Sequence, residues 1–233
     1  MLDMLATADF WIDLAKIILI NIVLSGDNAV VIALASRSLP PRQQKQAIVF
    51  GSLGAIVLRI VLTFFAVVLL GQPYLKLVGA ALLLWIGIGL LKGEDDAELQ
   101  AQASLLAAVR TIVVADFVMS LDNVIGVAAA AHGNILLLVL GLVISVPLIV
   151  FGSQLILALM NRLPVIVTLG AALLGWVAGE MATTDPALGR WFGDAADNVV
   201  VQWAVPAAGA VLVVVVGKWL CARARRAKAT TTG

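Results

Sequence analysis

The sequence predicts an all-α fold: a polytopic membrane helix bundle of seven transmembrane helices, a 3+3 inverted repeat plus one C-terminal helix. Three observations predict it. Of the 233 residues, 62% are hydrophobic and only 12% charged, about half the charged share of a soluble domain. Seven apolar segments come close to the ~20 residues that a spanning helix needs. A polar motif also recurs 95 residues further on, each time inside an apolar run.

The segments follow in order. The first, Phe10–Ala35, comes after an N-terminus with Asp3, Asp9 and Asp13 and no basic residue before Lys16. That is the wrong charge for a secretory signal, so the segment is expected to be retained. It contains "NIVLSGDN" (21–28), where Ser25-Gly26 weakens a helix and predicts a bend. "SLPPRQQ" separates it from the second, Gln46–Leu70, with Arg59 near its middle. "GQP" breaks the chain before the third, Tyr74–Leu91. The acidic loop "KGEDDAELQAQAS" reads as a solvated face. The fourth, Leu106–Ala131, carries "DFVMSLDN" (116–123). Beyond it lies "HGN", whose His132 is the single histidine and reads as a solvated turn residue. The fifth is Ile135–Met160; "NRLP" leads to the sixth, Pro164–Met181, which carries Glu180. "TTDPALGRWFGDAADN" precedes the seventh, Val200–Leu220, and a basic tail covers 222–233. Trp11, Trp191, Trp203 and Trp219 fall near segment ends, where indole rings favour the lipid–water boundary. The lone Cys221 can form no intrachain disulfide and reads as packing or lipid contact.

The chain thus reads as one transmembrane domain over 1–233. Repeat one covers about 10–92, repeat two about 105–182, and the extra helix about 200–221. "PYLKLVGAALLLW" (73–85) matches "PVIVTLGAALLGW" (164–176), and "NIVLSGDN" matches "DFVMSLDN" as [Asn/Asp]-x-x-x-Ser-x-Asp-Asn. Segments two and five show no such match. Because three is odd, the halves enter the bilayer from opposite sides, an architecture of transporters with a site near mid-membrane. With the N-terminus outside, inner regions hold eleven basic residues: Arg37, Arg42, Lys45, Lys92, Arg110, Arg162, Lys218, Arg223, Arg225, Arg226 and Lys228. Outer regions hold Lys76 and Arg190. That bias predicts N-out, C-in in the plasma (inner) membrane.

Intramembrane carboxylates cost roughly 2.5–3.5 kcal/mol each on insertion scales and mark functional sites by default. Asp27, Asp116 and Asp122, with Asn28 and Asn123, form an all-oxygen set suited to Mg²⁺, Ca²⁺ or Mn²⁺. Asn21, Ser25 and Ser120 could add to it, and Glu180, closer to a segment end, could either snorkel or serve as a proton or gate residue. Asp116, Ser120 and Asn123 share a helical face; Asp122 lies off it unless the helix bends, and Leu121 stands where the first half has Gly26. Met119 could add a soft contact, against the plainer reading of packing. Lys16 reads as snorkelling. The competing account is a structural ion pair with Arg59. A pure pair, however, needs one acid and not three with repeated amides.

"SGDNAVVIALASRSLP", "MSLDN" and "GAALLGW" resemble the TerC family of integral membrane proteins, in its short form without an appended soluble domain. The resemblance covers nearly the whole chain and places it with the LysE-like transporter superfamily. It implies export of divalent metal, chiefly Mn²⁺, from the cytoplasm, with Asp27, Asn28, Asp116, Asp122 and Asn123 as the site. The expected function is therefore export of a divalent cation by alternating access, with protons as a counter-ion. The alternatives are a LysE-like exporter of an amino acid or other small solute, with Arg59 holding the carboxylate, and a non-transporting membrane scaffold or assembly factor. No nucleophile–base pair or metal hydrolase motif points to an enzyme. No prosthetic group is expected, Mn²⁺ being cargo. Partners are the lipid bilayer, the cation and, at most, further copies of the chain. The even charge balance, a net +1, argues against nucleic acid.

Overall fold

The computed structural model describes residues 8–70, 72–92, 105–130, 134–188 and 198–231, without the side chains of 8–9, 66–70, 92, 122, 124–130, 225 and 227–231. Eight helices carry the architecture: α1 (Ala8–Leu24), α2 (Gly26–Ser36), α3 (Pro41–Leu70), α4 (Leu75–Lys92), α5 (Leu105–Ala130), α6 (Ile135–Arg162), α7 (Val165–Thr183) and α8 (Val199–Thr231). Each apolar segment of the sequence is helical over its described residues except the first, which breaks at Ser25 into two helices, and no strand occurs among the described residues. His132, Trp191, Arg190 and the acidic loop lie outside them.

By length and composition four helices can cross a membrane: Pro41–Phe65, Ile135–Arg162, Val165–Thr183 and Val199–Ala224. A fifth span results if α1 and α2, bent by 49° at their break, count as one. The apolar part of α4, Leu75–Leu91, rises only about 26 Å at 1.5 Å per residue, slightly short of a ~30 Å hydrocarbon core. For α5, the side chains of residues 124–130 are not described.

The bend expected at Ser25-Gly26 is present. Ser25 leaves helical geometry at φ −113°, ψ 7°. A Cβ on Gly26 would meet nothing within 4 Å, so close packing does not require the glycine. Its contribution is its low helix propensity, about 1 kcal/mol below alanine. In the second half, where Leu121 replaces it, α5 runs unbroken.

Helix edges outrun the apolar segments where polar residues continue the helix. α3 starts at Pro41, a residue preorganised for a first turn, and α8 extends through the basic tail to Thr231.

The packing is inside-out relative to a soluble protein. Phe64, Phe65, Trp85, Phe151 and Trp203 are exposed, while Asn21, Ser25, Asn28, Ser52, Arg59, Asp116, Ser120 and Ser145 are buried. Helices approach through small residues, as membrane helices do. Gly175 and Gly179 of α7 meet the backbone of Gly209 and Pro206 on α8, Gly51 of α3 lies against Ile112 of α5, and Gly141 of α6 against Ile17 of α1. A larger apolar cluster draws on every helix from α2 to α8, with Met119 in it. A smaller one joins α1, α3 and α6. The polar residues gather where α1, α3, α5 and α6 meet.

Candidate functional site

Arg59 organises the polar cluster. It projects from the middle of α3 and is 3% exposed, so its charge can persist only with close partners. Nη2 donates to Asp116 Oδ1 at 2.8 Å. Nη1 donates to Asn21 Oδ1 at 2.5 Å and to Ser25 Oγ at 2.9 Å. Nε donates to Ser120 Oγ at 3.0 Å, and that hydroxyl donates to Asp116 Oδ2 at 3.1 Å. The Asn21 amide donates to Ser145 Oγ on α6, whose hydroxyl bonds back to Gly141 O and Leu142 O. One guanidinium thus ties α1, α3 and α5 together, and Asn21 extends the network to α6.

Asp116 therefore does pair with Arg59, the structural alternative the sequence leaves open. Ser120 joins it on the same face of α5, as their i, i+4 spacing requires. Asn123, one turn on, reaches elsewhere: its Nδ2 donates to Leu24 O at 3.0 Å. Leu24 closes α1, so its carbonyl has lost its helical donor at the break. The amide of the second motif thereby caps the break in the first.

Asp27 lies in the first turn of α2. Its Oδ1 accepts from Asn28 N at 2.8 Å, and it lies within electrostatic reach of both Arg59 and Asp116. The N-terminus of α2 adds partial positive charge there. Asp122 is carried on α5, with its side chain outside the described residues. Among the described residues no three acids, histidines or cysteines converge. What converges is a mixed oxygen set around Arg59.

Asn28 is buried within the bundle. Its Oδ1 and Nδ2 are buried without a hydrogen-bond partner, as is Ser52 Oγ on α3. Buried orphans are rare, and each costs about 1–3 kcal/mol. Both side chains line a small cavity with Arg59, Asp116 and the apolar Ile32, Ala55, Ile56 and Ile149.

The peripheral residues fall into simpler roles. Exposed Lys16 pairs with Asp13 at 2.8 Å. Glu180 is exposed and accepts from Trp176 Nε1 at 2.8 Å. Cys221 Sγ approaches Leu91 O at 3.5 Å. Asp185, which the sequence does not single out, is buried at the end of α7. It accepts from Tyr74 N (3.0 Å), Leu77 N (3.1 Å) and Ala187 N (2.7 Å), closing the start of α4. Burial alone would raise its pKa, but these backbone donors outweigh that and hold the carboxyl below its ordinary value. Ser52 and Ser145 also escape sequence reading, because a lone serine in an apolar helix has no spacing signature.

Comparison with known proteins adds independent findings. The family described as "Integral membrane protein TerC family" matches residues 6–226. The uncharacterized membrane protein YjbE of Bacillus subtilis is 46% identical over 181 residues, covering 77% of this chain and 83% of that protein. The UPF0053 protein YegH of Escherichia coli is 30% identical over 72% of this chain and 36% of its own length. The UPF0053 inner membrane protein YgdQ of the same organism is 26% identical over 70% and 77%. No solved structure matches.

Proposed function

The chain belongs to the TerC family of integral membrane proteins, and from that premise we propose that it exports divalent metal cations, Mn²⁺ foremost, from the cytoplasm. The observation that carries the reading is the break at Ser25 inside an apolar helix. It sets Asp27 and Asn28 at a helix N-terminus, within electrostatic reach of Asp116. Discontinuous helices with polar groups at the break are how transporters build sites inside the bilayer.

The pairing of helices supports a 3+3 inverted repeat of seven spans. α1 packs on α6 as α5 packs on α3, and α4 packs on α7. If segments one to three correspond to four to six, the first two pairings are images of each other and the third is its own image. The oxygen set supports a hard cation. The basic residues support an N-out, C-in orientation, and the name of YgdQ an inner (plasma) membrane. In this reading Mn²⁺ is cargo, no reaction is catalysed, and the site is Asp27, Asn28, Asp116, Asp122 and Asn123. The amino-acid alternative needs Arg59 to hold a substrate carboxylate. All three of its nitrogens already donate to protein oxygens, which counts against it.

The test is Mn²⁺ uptake into proteoliposomes with and without an imposed pH gradient. Carboxylate ligands must be deprotonated to hold the metal. Uptake driven by the gradient, with proton release on binding and weaker binding toward about pH 5, is the expected result. Liposomes that take up no more Mn²⁺ than protein-free controls would refute the reading.

A further inference from the structure

The orphaned atoms beside Arg59 point to a further site. The Asn28 amide and the Ser52 hydroxyl belong to side chains 3% and 1% exposed, and neither has a protein partner. They line one cavity of about 10 Å³, the room that one water-sized guest requires. Asp116 lines the same cavity. An amide oxygen, a hydroxyl and a carboxylate are the hard donors a divalent cation takes. Arg59 is the fourth polar wall, and its positive charge opposes any cation there.

Charge bookkeeping resolves that conflict. Of the acids whose side chains are described, Asp27 and Asp116 leave a local charge of −1 with Arg59 in the cluster. If the guanidinium withdraws and a divalent ion enters, the same two acids neutralise it fully. The oxygens that hold Arg59 now, from Asn21, Ser25, Asp116 and Ser120, are themselves cation ligands by type. The site is built to be satisfied by either of two cations, one of them attached to the chain.

We propose that this cavity is a cation subsite with Asn28, Ser52 and Asp116 as ligands, and that the Arg59 guanidinium is a tethered cation the cargo displaces to enter it. The inference rests on the transport reading and adds two things to it. Ser52 becomes a ligand, contributed by a helix that carries neither repeated motif. Arg59 becomes an internal competitor and not merely a strut. The site therefore returns to a hydrogen-bonded, partly neutralised state once cargo has left, without waiting for another ion.

Mn²⁺ binding to the detergent-purified full chain, read by titration calorimetry, tests this directly. Arg59→Gln removes the competitor and should tighten Mn²⁺ binding at least about tenfold, whereas loss of a mere strut would weaken it. Ser52→Ala should weaken binding about tenfold while keeping or raising thermal stability, since it deletes an orphaned hydroxyl. Should Arg59→Gln not elute as the parent's single species, Arg59→Lys replaces it. A lysine keeps the charge but cannot span four oxygens, and the same direction of change is expected. Parent binding with no gain in the Arg59 variant, or Ser52→Ala binding at parental affinity, would overturn the inference and leave the transport reading intact. No Mn²⁺ binding by parent and Arg59 variants alike would remove both.

Discussion

Replacing Asp116 by leucine is the most informative single perturbation, because the structure sets its cost from two directions. Asp116 Oδ1 lies 2.8 Å from Arg59 Nη2, with both side chains at most 7% exposed. Charge centres about 4 Å apart interact by about 4 kcal/mol at an effective dielectric near 20. Removing one partner of a buried pair costs about 3–5 kcal/mol on independent grounds. The charge-assisted bonds from Arg59 to the uncharged oxygens of Asn21, Ser25 and Ser120 are present in the parent and in Asp116→Leu alike. They cannot make good the loss. Asp116→Leu should therefore destabilise by about 3–5 kcal/mol, a large share of a typical total of about 5–15.

The double variant Arg59→Met/Asp116→Leu separates the pair from its surroundings. It removes both charges and leaves apolar side chains of similar length. Asn21 keeps Ser145 as a partner, and Ser120 can bond back to its own helix. The double variant should recover most of the loss, with a coupling energy of about 3 kcal/mol. Unfolding free energies in mixed detergent micelles, followed by tryptophan fluorescence, supply the numbers. Single variants that each cost under about 1 kcal/mol and add in the double would refute the view that this pair organises the cluster. The cycle also guards against misreading transport data, since a variant at Asp116 can lose activity by losing its fold.

Asp27→Asn and Asp122→Asn should each cut Mn²⁺ uptake by at least about tenfold while the protein still inserts and elutes as the parent, because each removes one anionic oxygen donor and keeps the size of the side chain; parental uptake by both would remove them from the site. In a Cys221→Ser background, Asn134→Cys should react with an impermeant thiol reagent from outside and Gln43→Cys should not, and the reverse pattern would invert the topology. Asp185→Ala should cost about 1–3 kcal/mol at neutral pH by orphaning the backbone donors at the start of α4. Because the folded-state pKa of Asp185 is depressed, that contribution is full above its unfolded value and lost as pH falls through the folded one. The gap to the parent should therefore narrow as pH falls below the ordinary range of an aspartate, as thermal unfolding at neutral and at acid pH will show.

The helices were legible in the sequence because composition and breakers alone mark them. Their ends were less so: "PRQQK" carries no apolar signal, yet it forms the first turns of α3 behind Pro40. The bend at Ser25-Gly26 follows from one residue's propensity and was readable; Leu121 left a bend in α5 open, and the helix runs through it. Arg59 was recognisable as a candidate partner by its rarity in an apolar run. Its choice of Asp116 over Asp27 was not, since pairing across helices depends on packing that spacing does not encode. Asp185 escaped notice because its role is to accept backbone bonds from a helix 108 residues away in sequence. Glu180 lies near the end of α7, as its place in the sixth segment predicts, and is exposed beside Trp176.

The two repeated asparagines now differ in a way that bears on the cycle. Asn123 donates to Leu24 O at the break, while Asn28, its counterpart at the 95-residue offset, has an amide with no partner. The same offset carries Leu24 onto Met119. Under the inverted-repeat reading the halves exchange conformations, so α5 would bend near Ser120 while α1 and α2 straighten. Asn28 Nδ2 would then donate to Met119 O, and the amide of Asn123 would be released. This gives an orphaned, costly group a reason to exist: it is satisfied in the other state. Asn123→Leu should accordingly destabilise the protein by about 1 kcal/mol, since it deletes a bond that is made. Asn28→Leu should leave stability unchanged or raise it, yet slow Mn²⁺ uptake. Asn28→Leu destabilising as much as Asn123→Leu would show that the two amides are already equivalent, and the exchange of caps would have no basis.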